Sequence, residues 1–455
     1  MPPRRRIQAK KEQPPVLTSI DVRGLFGRLD HRLDLERGQF NPHPNLTLLY
    51  GRNGTGKSTL LRIAYHGLSS SPTQGHRTVL AGIPFERAEF AFSNGFRLIY
   101  ERLEKVVGRR TRTELVVSVF PSASEDPVRE SLRVHPSGRI PIDDVDLGPG
   151  SVTDRISNLR LDPIILTDTR RIFSDSIEDE REEQDEDYAP RTVEDRPEYL
   201  DALVRARRDD DLVDSIRRLE EYFRWQTILA ERSSAGDADQ GYASIVRTIA
   251  TNAQGPGRPR KTTLPALDQR LETLADRSDV FRRYDLITGL QFQDLRASIA
   301  KAPDRAGPLL LNVLQPYLDG LEARMNSLQE TVDSIDAYTR LVNGFLEGKE
   351  LRYSALTRKL SVHDSSSGAE IRALDLSSGE KQLVLLFSYV MSMRRDTRLL
   401  LIDEPEISLN PDWQRGVIPA LLRLINGAPV QLVCASHSIE ILAPFDENVV
   451  EMSAR

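Results

Sequence analysis

Two stretches at opposite ends of this chain make chemical sense only together. Near the start, Gly51-Arg52-Asn53-Gly54-Thr55-Gly56-Lys57-Ser58-Thr59 has the Gly-x4-Gly-Lys-Ser spacing of a loop that wraps phosphate groups. Near the end, the apolar run Leu399–Ile402 closes on the adjacent carboxylates Asp403 and Glu404. In such a loop the glycines let backbone N–H groups approach an anion closely, and the helix that follows adds its positive end. Lys57 supplies a point charge for the β and γ phosphates, and the Ser58 hydroxyl is a ligand for Mg2+. The carboxylate pair completes the set, with Asp403 holding Mg2+ through water and Glu404 placed to polarise an attacking water. One ATP site built from both chain ends requires that everything between them be an insertion.

The surroundings of these motifs read as alternating strands and helices. Thr18–Leu25 and Leu46–Tyr50 are short apolar strands, and the second feeds the glycine loop. Leu60, Leu61, Ile63 and Ala64 then recur at helical spacing over Thr59–Leu68. From Arg87 to Ile142 short apolar stretches broken by Gly108-Arg109-Arg110 and Pro136-Ser137-Gly138 predict antiparallel strands. The pattern resumes with a strand at Lys359–His363, a helix at Lys381–Met393 and a strand at Arg398–Ile402. A helix at Trp413–Ile425 and a strand at Val430–Ala435 complete it. The alternation argues for a largely parallel α/β sheet. At 455 residues the chain is also too long for one ordinary core.

The middle of the chain has a different character. Ser174–Asp187 holds nine acidic residues and almost nothing apolar, which reads as a solvated linker or, alternatively, a segment that inhibits or recruits a partner. Leu212, Ile216, Leu219, Phe223 and Gln226 step by 4, 3, 4 and 3. Leu314, Leu318, Leu321, Met325, Leu328, Val332 and Ile335 keep the same rhythm for three heptads. The two segments are either an antiparallel coiled-coil arm or amphipathic helices packed in a globular helical domain. Gly255-Pro256-Gly257-Arg258-Pro259-Arg260-Lys261 between them is a basic break, either a plain exposed loop or a contact for phosphates or an acidic partner.

Composition narrows the partners. With 62 basic and 68 acidic residues the net charge is −6, so any nucleic-acid contact must be local. The single cysteine, Cys434, rules out an internal disulfide and a cysteine-rich zinc site, and reads as a small buried residue. No apolar run approaches the ~20 residues that span a bilayer, and no hydrophobic signal region follows the basic N-terminus Pro2-Pro3-Arg4-Arg5-Arg6. A cytoplasmic protein without membrane contact is expected.

Leu376-Ser377-Ser378-Gly379-Glu380-Lys381-Gln382 resembles the signature sequence of ATP-binding-cassette (ABC) ATPases, and the chain is similar to their soluble SMC/RecF-like branch. Phosphate loop, signature, Asp403-Glu404 pair, the loop Ser408-Leu409-Asn410-Pro411-Asp412 and a switch histidine, His437, occur in that family's order. The resemblance implies an α/β ABC ATPase head, a phosphate-loop sheet plus an antiparallel β lobe, with an inserted helical or coiled-coil domain. The expected division is 1–173 and 356–455 for the head, 174–199 for an acidic linker and 200–355 for the insertion. It implies that Ser377, Ser378, Gly379 and Glu380 bind nucleotide, with Ser377 and Gly379 reaching the γ-phosphate held by a second subunit. Two ATPs would be sandwiched in a head-to-tail homodimer, which could enter a higher oligomer. Glu404 and His437 become the catalytic residues, with Ser58 and Asp403 on Mg2+.

Two departures qualify the match. Asn410 stands where the family often has aspartate, which implies altered communication between sites. No glutamine occurs between Gln74 and Gln184, and Ile164–Arg171 offers arginine in the slot of the family's Mg2+- and water-binding glutamine. Hydrolysis that is slow or partner-dependent follows. Leu401–Gln414 looks closest to the stand-alone ATPases of bacterial anti-phage systems, the OLD-like, Septu and PARIS types. The sequence stops soon after His437, so a nuclease or toxin effector is expected to be a separate polypeptide. A DNA-repair ATPase that clamps DNA through Arg258, Arg260 and Lys261 is the alternative. A transporter subunit fits least, because nothing is shaped to dock membrane helices.

Overall fold

The computed structural model describes residues 15–36, 41–72, 74–107, 110–121, 126–135, 138–167, 172–174, 209–233, 264–287, 292–301, 307–394 and 398–452. The acidic run, the basic break at 255–261, the N-terminal arm and Asp168–Arg171 lie outside them. The chain divides into two compact units, Met1–Asp211 with Met393–Arg455, and Leu212–Ser392.

The first unit contains two six-stranded sheets. One is antiparallel throughout: β1 (Leu17–Leu25), β2 (Leu29–Asp34), β4 (Arg87–Phe92), β5 (Arg97–Val107), β6 (Arg110–Phe120) and β7 (Val128–Arg133), in the order β2-β1-β4-β5-β6-β7. The other holds β3 (Leu46–Tyr50), β8 (Ile164–Leu166), β9 (Ile172–Ser174), β13 (Leu399–Asp403), β14 (Gln431–Ser436) and β15 (Val449–Glu451). Its order is β15-β3-β14-β13-β8-β9, parallel except for β9. Every residue of β13 and β14 is buried, as expected of parallel strands covered on both faces. These elements match the α/β sheet and antiparallel lobe expected from the sequence.

Helix α1 (Lys57–Leu68) binds the two sheets into one core. Leu60, Leu61, Ile63 and Ala64 are buried together with Phe90 and Tyr100 of the antiparallel sheet and Leu401 and Val433 of the parallel one. Gly67 permits the close approach, since a Cβ there would lie 2.8 Å from the Phe90 ring. The Tyr100 hydroxyl donates to the Gly67 carbonyl at 2.7 Å, and burial pushes that phenol up to about 12.

The second unit is a helical package with a small sheet. Its axis is a 37-residue helix, Gly307–Asn343, whose Leu318, Met325, Leu328, Val332 and Ile335 are buried as the seven-residue rhythm predicts. The helix Leu264–Arg283 runs parallel to it: Arg270 pairs with Asp319 and Glu322, Arg277 donates to Asn326 and Gln329, and Arg283 meets Asp336. Helical residues 209–233 run the other way, with Glu231 on Arg324 and Phe223 stacked edge-on against Tyr338. The second heptad run therefore does lie antiparallel to the first, but a third helix shares the seam. Strands β10 (Lys349–Ser354), β11 (Lys359–Asp364) and β12 (Glu370–Ile371) form an antiparallel sheet. The buried Glu220 of the 209–233 helix accepts from Lys359 Nζ at 3.0 Å and from the Leu360 N–H at 2.9 Å.

Candidate functional site

Parallel pairing brings three strand ends side by side, Tyr50 opposite Ser436 and Ala435 opposite Asp403. The segments that leave those ends are the glycine loop, the Asp403-Glu404 pair and the His437 turn. This is the edge at which open α/β sheets carry their ligands. Asn53 and Gly54 are exposed at the loop's tip, Thr55 and Lys57 are buried, and Ser58 and Thr59 are half-buried in the first turn of α1. Gly56 precedes the helix at φ 87°, and a Cβ there would sit 2.8 Å from Leu25 Cδ2. Beneath the loop, His31 Nε2–H donates to the Thr55 carbonyl at 2.7 Å. Burial lowers the His31 pKa, against the pull of that carbonyl.

Lys57 is turned back on its own loop. Its ammonium donates to the Gly51 carbonyl at 2.8 Å and to His437 Nε2 at 2.7 Å. With Nε2 acting as acceptor, the imidazole carries its proton on Nδ1. Burial lowers the Lys57 pKa, opposed in turn by the Glu404, Asp403 and Glu406 carboxylates. Glu404 Oε1 stands 3.6 Å from His437 Nε2. Glu404 has φ 50°, a left-handed backbone that costs on the order of 1–3 kcal/mol. Asp403 is buried at the end of β13. Ser58 and Asp403 are oxygen donors of the kind a hard cation such as Mg2+ takes.

Asn410 caps the helix Pro411–Leu424, its side chain accepting from the Trp413 N–H at 2.8 Å. Gln414 of that helix donates to the Leu409 carbonyl and accepts from the Ser438 hydroxyl. Glu406 receives the Ser436 hydroxyl and the His437 and Ser438 N–H groups. Neither His31 nor Glu406 is legible in the sequence, because each is a lone residue whose partner comes from another element.

The signature residues belong to the second unit. Ser377 and Ser378 are exposed at the start of the helix Ser378–Met393, and Gly379 and Glu380 are buried. The Ser377 N–H donates to Glu380 Oε2 at 2.8 Å while the Glu380 N–H reaches Ser377 Oγ at 3.4 Å, a capping box. Lys349 Nζ meets Glu380 Oε1 at 2.7 Å. Burial works to raise the Glu380 carboxyl, yet Lys349 and the Ser377 donors together hold it below its ordinary value. Further along the helix, Ser388 hydrogen-bonds the buried Tyr338 hydroxyl at 2.6 Å, and Phe387 packs on Phe345.

A family model described as "AAA domain, putative AbiEii toxin, Type IV TA system" matches residues 46–443, which take in every motif above. The chain belongs to this AAA-domain family. Similar curated proteins include ATP-binding proteins and a probable ATPase. One is the phosphonates import ATP-binding protein PhnC 1 of Rhodopseudomonas palustris, 25% identical over 49% of this chain and 77% of its own length. Another is the Retron Ec83 probable ATPase of Escherichia coli, 25% identical over 34% of this chain, of which only 33% is spanned. Among solved structures, a Pyrococcus furiosus Smc head domain with an extended coiled coil aligns over 97% of this chain and 94% of its own, at 11% identity and a TM-score of 0.39. No helix among the described residues of this AAA-domain protein is long and apolar enough to cross a membrane.

Proposed function

We propose that this chain binds ATP with Mg2+, hydrolyses it, and closes into a homodimer around two nucleotides to regulate a separate nuclease or toxin in bacterial anti-phage defence. The cytoplasm is its expected site of action. The observation that carries the reading is the composition of the strand-end cluster: a phosphate loop, a buried lysine, two carboxylates and a histidine within reach of one another. Family membership and the similarity to a retron ATPase support the defence setting.

The chain's own residues divide the work. Arriving phosphate would draw Lys57 off the Gly51 carbonyl and His437, while the loop N–H groups and the α1 N-terminus take the remaining charge. Ser58 and Asp403 would hold Mg2+, whose charge neutralises the phosphate oxygens when it is bound. Glu404 would orient the attacking water and draw on its proton, and His437, released from Lys57, would face the γ-phosphate. Ser377 and Gly379 would complete the partner's site, with Ser377 exposed at the start of their helix.

The test is co-purification from cells carrying the neighbouring genes, comparing Glu404→Gln, which should trap ATP, with Lys57→Ala, which should not bind it. A nuclease- or toxin-like protein retained differently by the two variants is the expected result. Nucleic acid trapped by Glu404→Gln without any partner protein would replace this reading with a DNA clamp.

A further inference from the structure

We propose that Glu406 is a positioning residue that ties the loop carrying Glu404 to the turn carrying His437. The inference rests on the ATPase reading for its kinetic consequence, though not for its geometry. One carboxylate oxygen, Oε1, accepts the Ser436 hydroxyl at 2.8 Å, the His437 N–H at 2.7 Å and the Ser438 N–H at 3.2 Å. Successive N–H groups converging after a strand make a concavity that favours negative charge. Such a hollow commonly receives an external anion; here it is filled from two residues beyond Glu404. The second oxygen, Oε2, is buried and makes no hydrogen bond among the described residues, so the side chain is committed to the turn through one atom.

Two further bonds make loop and turn one piece. The Glu404 N–H donates to the Ala435 carbonyl at 2.9 Å, immediately before the turn. Ser438 donates to Gln414 Oε1 at 2.6 Å, and Gln414 holds the Leu409 carbonyl at 2.9 Å. The His437 backbone is thereby fixed to the same loop that carries Glu404 and Asn410. The imidazole is left 2.7 Å from Lys57 Nζ and 3.6 Å from the Glu404 carboxylate. Without Glu406, the Ser436 hydroxyl and the His437 N–H lose this acceptor, the Ser438 N–H keeps Ser436 Oγ at 3.0 Å, and the turn is held to the Glu404 loop by the two links just described. Misplacement of a reacting group by about 1 Å costs about 100-fold in rate.

The experiment compares Glu406→Ala, Glu406→Gln, His437→Ala and the Glu406→Ala/His437→Ala double variant in the full chain. Hydrogen exchange of a peptide covering Ser436–Ser438 is measured beside kcat and ATP affinity. Glu406→Ala is expected to exchange faster at that peptide and to lose about 100-fold in kcat with ATP affinity unchanged. Glu406→Gln keeps an acceptor oxygen and should retain both protection and most of the rate. The double variant should be no slower than His437→Ala, because both act through one imidazole. The proposal is overturned if Glu406→Ala exchanges and turns over like the wild type. It is also overturned if Glu406→Gln is as slow as Glu406→Ala, or if the double variant loses both effects in full. Should Glu406→Ala not fold, Glu406→Asp, one methylene short, takes its place with the same local exchange signature expected and the same wild-type outcome overturning it. A wild-type chain without ATP turnover would remove the ATPase reading alone, and the exchange data would still decide the geometry.

Discussion

The strand-end cluster and the signature turn are both built around a buried charged side chain, yet they are built in opposite ways. At the phosphate loop, Lys57 borrows backbone carbonyls and a histidine as partners, and Glu404 sits in a left-handed conformation. At the signature, Glu380 has a lysine, a backbone N–H and the reciprocal bond of a capping box, in relaxed helical geometry. The first arrangement holds its charges with stand-ins that a better ligand can displace. The second is finished before any ligand arrives. Strain and provisional bonds mark the surface that must change, and satisfied bonds mark the surface that must be presented unchanged.

Variants should separate along that line. The largest effect is expected from Glu404→Gln, which should lower ATP turnover by at least about 100-fold in a phosphate-release assay. Its melting temperature should stay at or above that of the wild type, since among the described residues the side chain makes no hydrogen bond and its ion contact, to His437, spans 3.6 Å. A large drop in stability would erase the contrast. Glu380→Ala should do the reverse, costing about 2 kcal/mol in chemical denaturation by removing a cap and leaving Lys349 without its carboxylate. Its phosphate loop should still bind a fluorescent ATP analogue.

Lys349→Met probes the same ion pair through pH. The Glu380 carboxyl is held below its ordinary value of 4.5 in the folded chain. A depressed carboxylate stabilises the fold above the unfolded pKa, and that contribution is lost as pH falls through the folded pKa. The melting-temperature gap between wild type and Lys349→Met should therefore be fully open at pH 6–7 and close as pH falls below 4.5. A gap that persists in acid would assign the loss to packing. The smallest effects fall on the Asn410 cap. Asn410→Ala should cost about 1 kcal/mol, whereas Asn410→Asp, whose oxygen can also accept from Trp413, should be close to neutral by the same denaturation measurement.

Much of this was legible in the sequence where the signal is local. Leu46–Tyr50 is a strand with the bounds its apolar run suggests, and the glycine loop leads into a helix as its spacing requires. The long heptad run is helical throughout and buries the residues its period selects from Leu318 to Ile335, while Leu314 is half-buried. The period did not reveal the third helix, Leu264–Arg283, although Leu267, Leu271, Leu274 and Phe281 are buried on one face of it. Nor could it show that this helix lies parallel to the long one, because direction is set by pairs such as Arg270–Asp319 and Arg283–Asp336, about fifty residues apart. Asn410 in its loop implies altered communication between sites, and the structure adds a local task for it, the helix cap. His31 and Glu406 escaped altogether, since a lone histidine in a strand and a third carboxylate after a pair carry no pattern that a one-dimensional reading can weigh.

The long helix has a mechanical consequence. At 1.5 Å per residue its 37 residues reach about 55 Å. Its C-terminal Asn343 is clamped to the Leu351 backbone by two hydrogen bonds, of 2.7 and 3.0 Å, just past the point where Tyr338 bonds Ser388. A tilt of about 5° about that clamp would carry the opposite end through about 5 Å, against the pairs that Arg270 and Glu231 make with the helix. That travel is about one helical turn, enough to carry a side chain out of one contact and into the next.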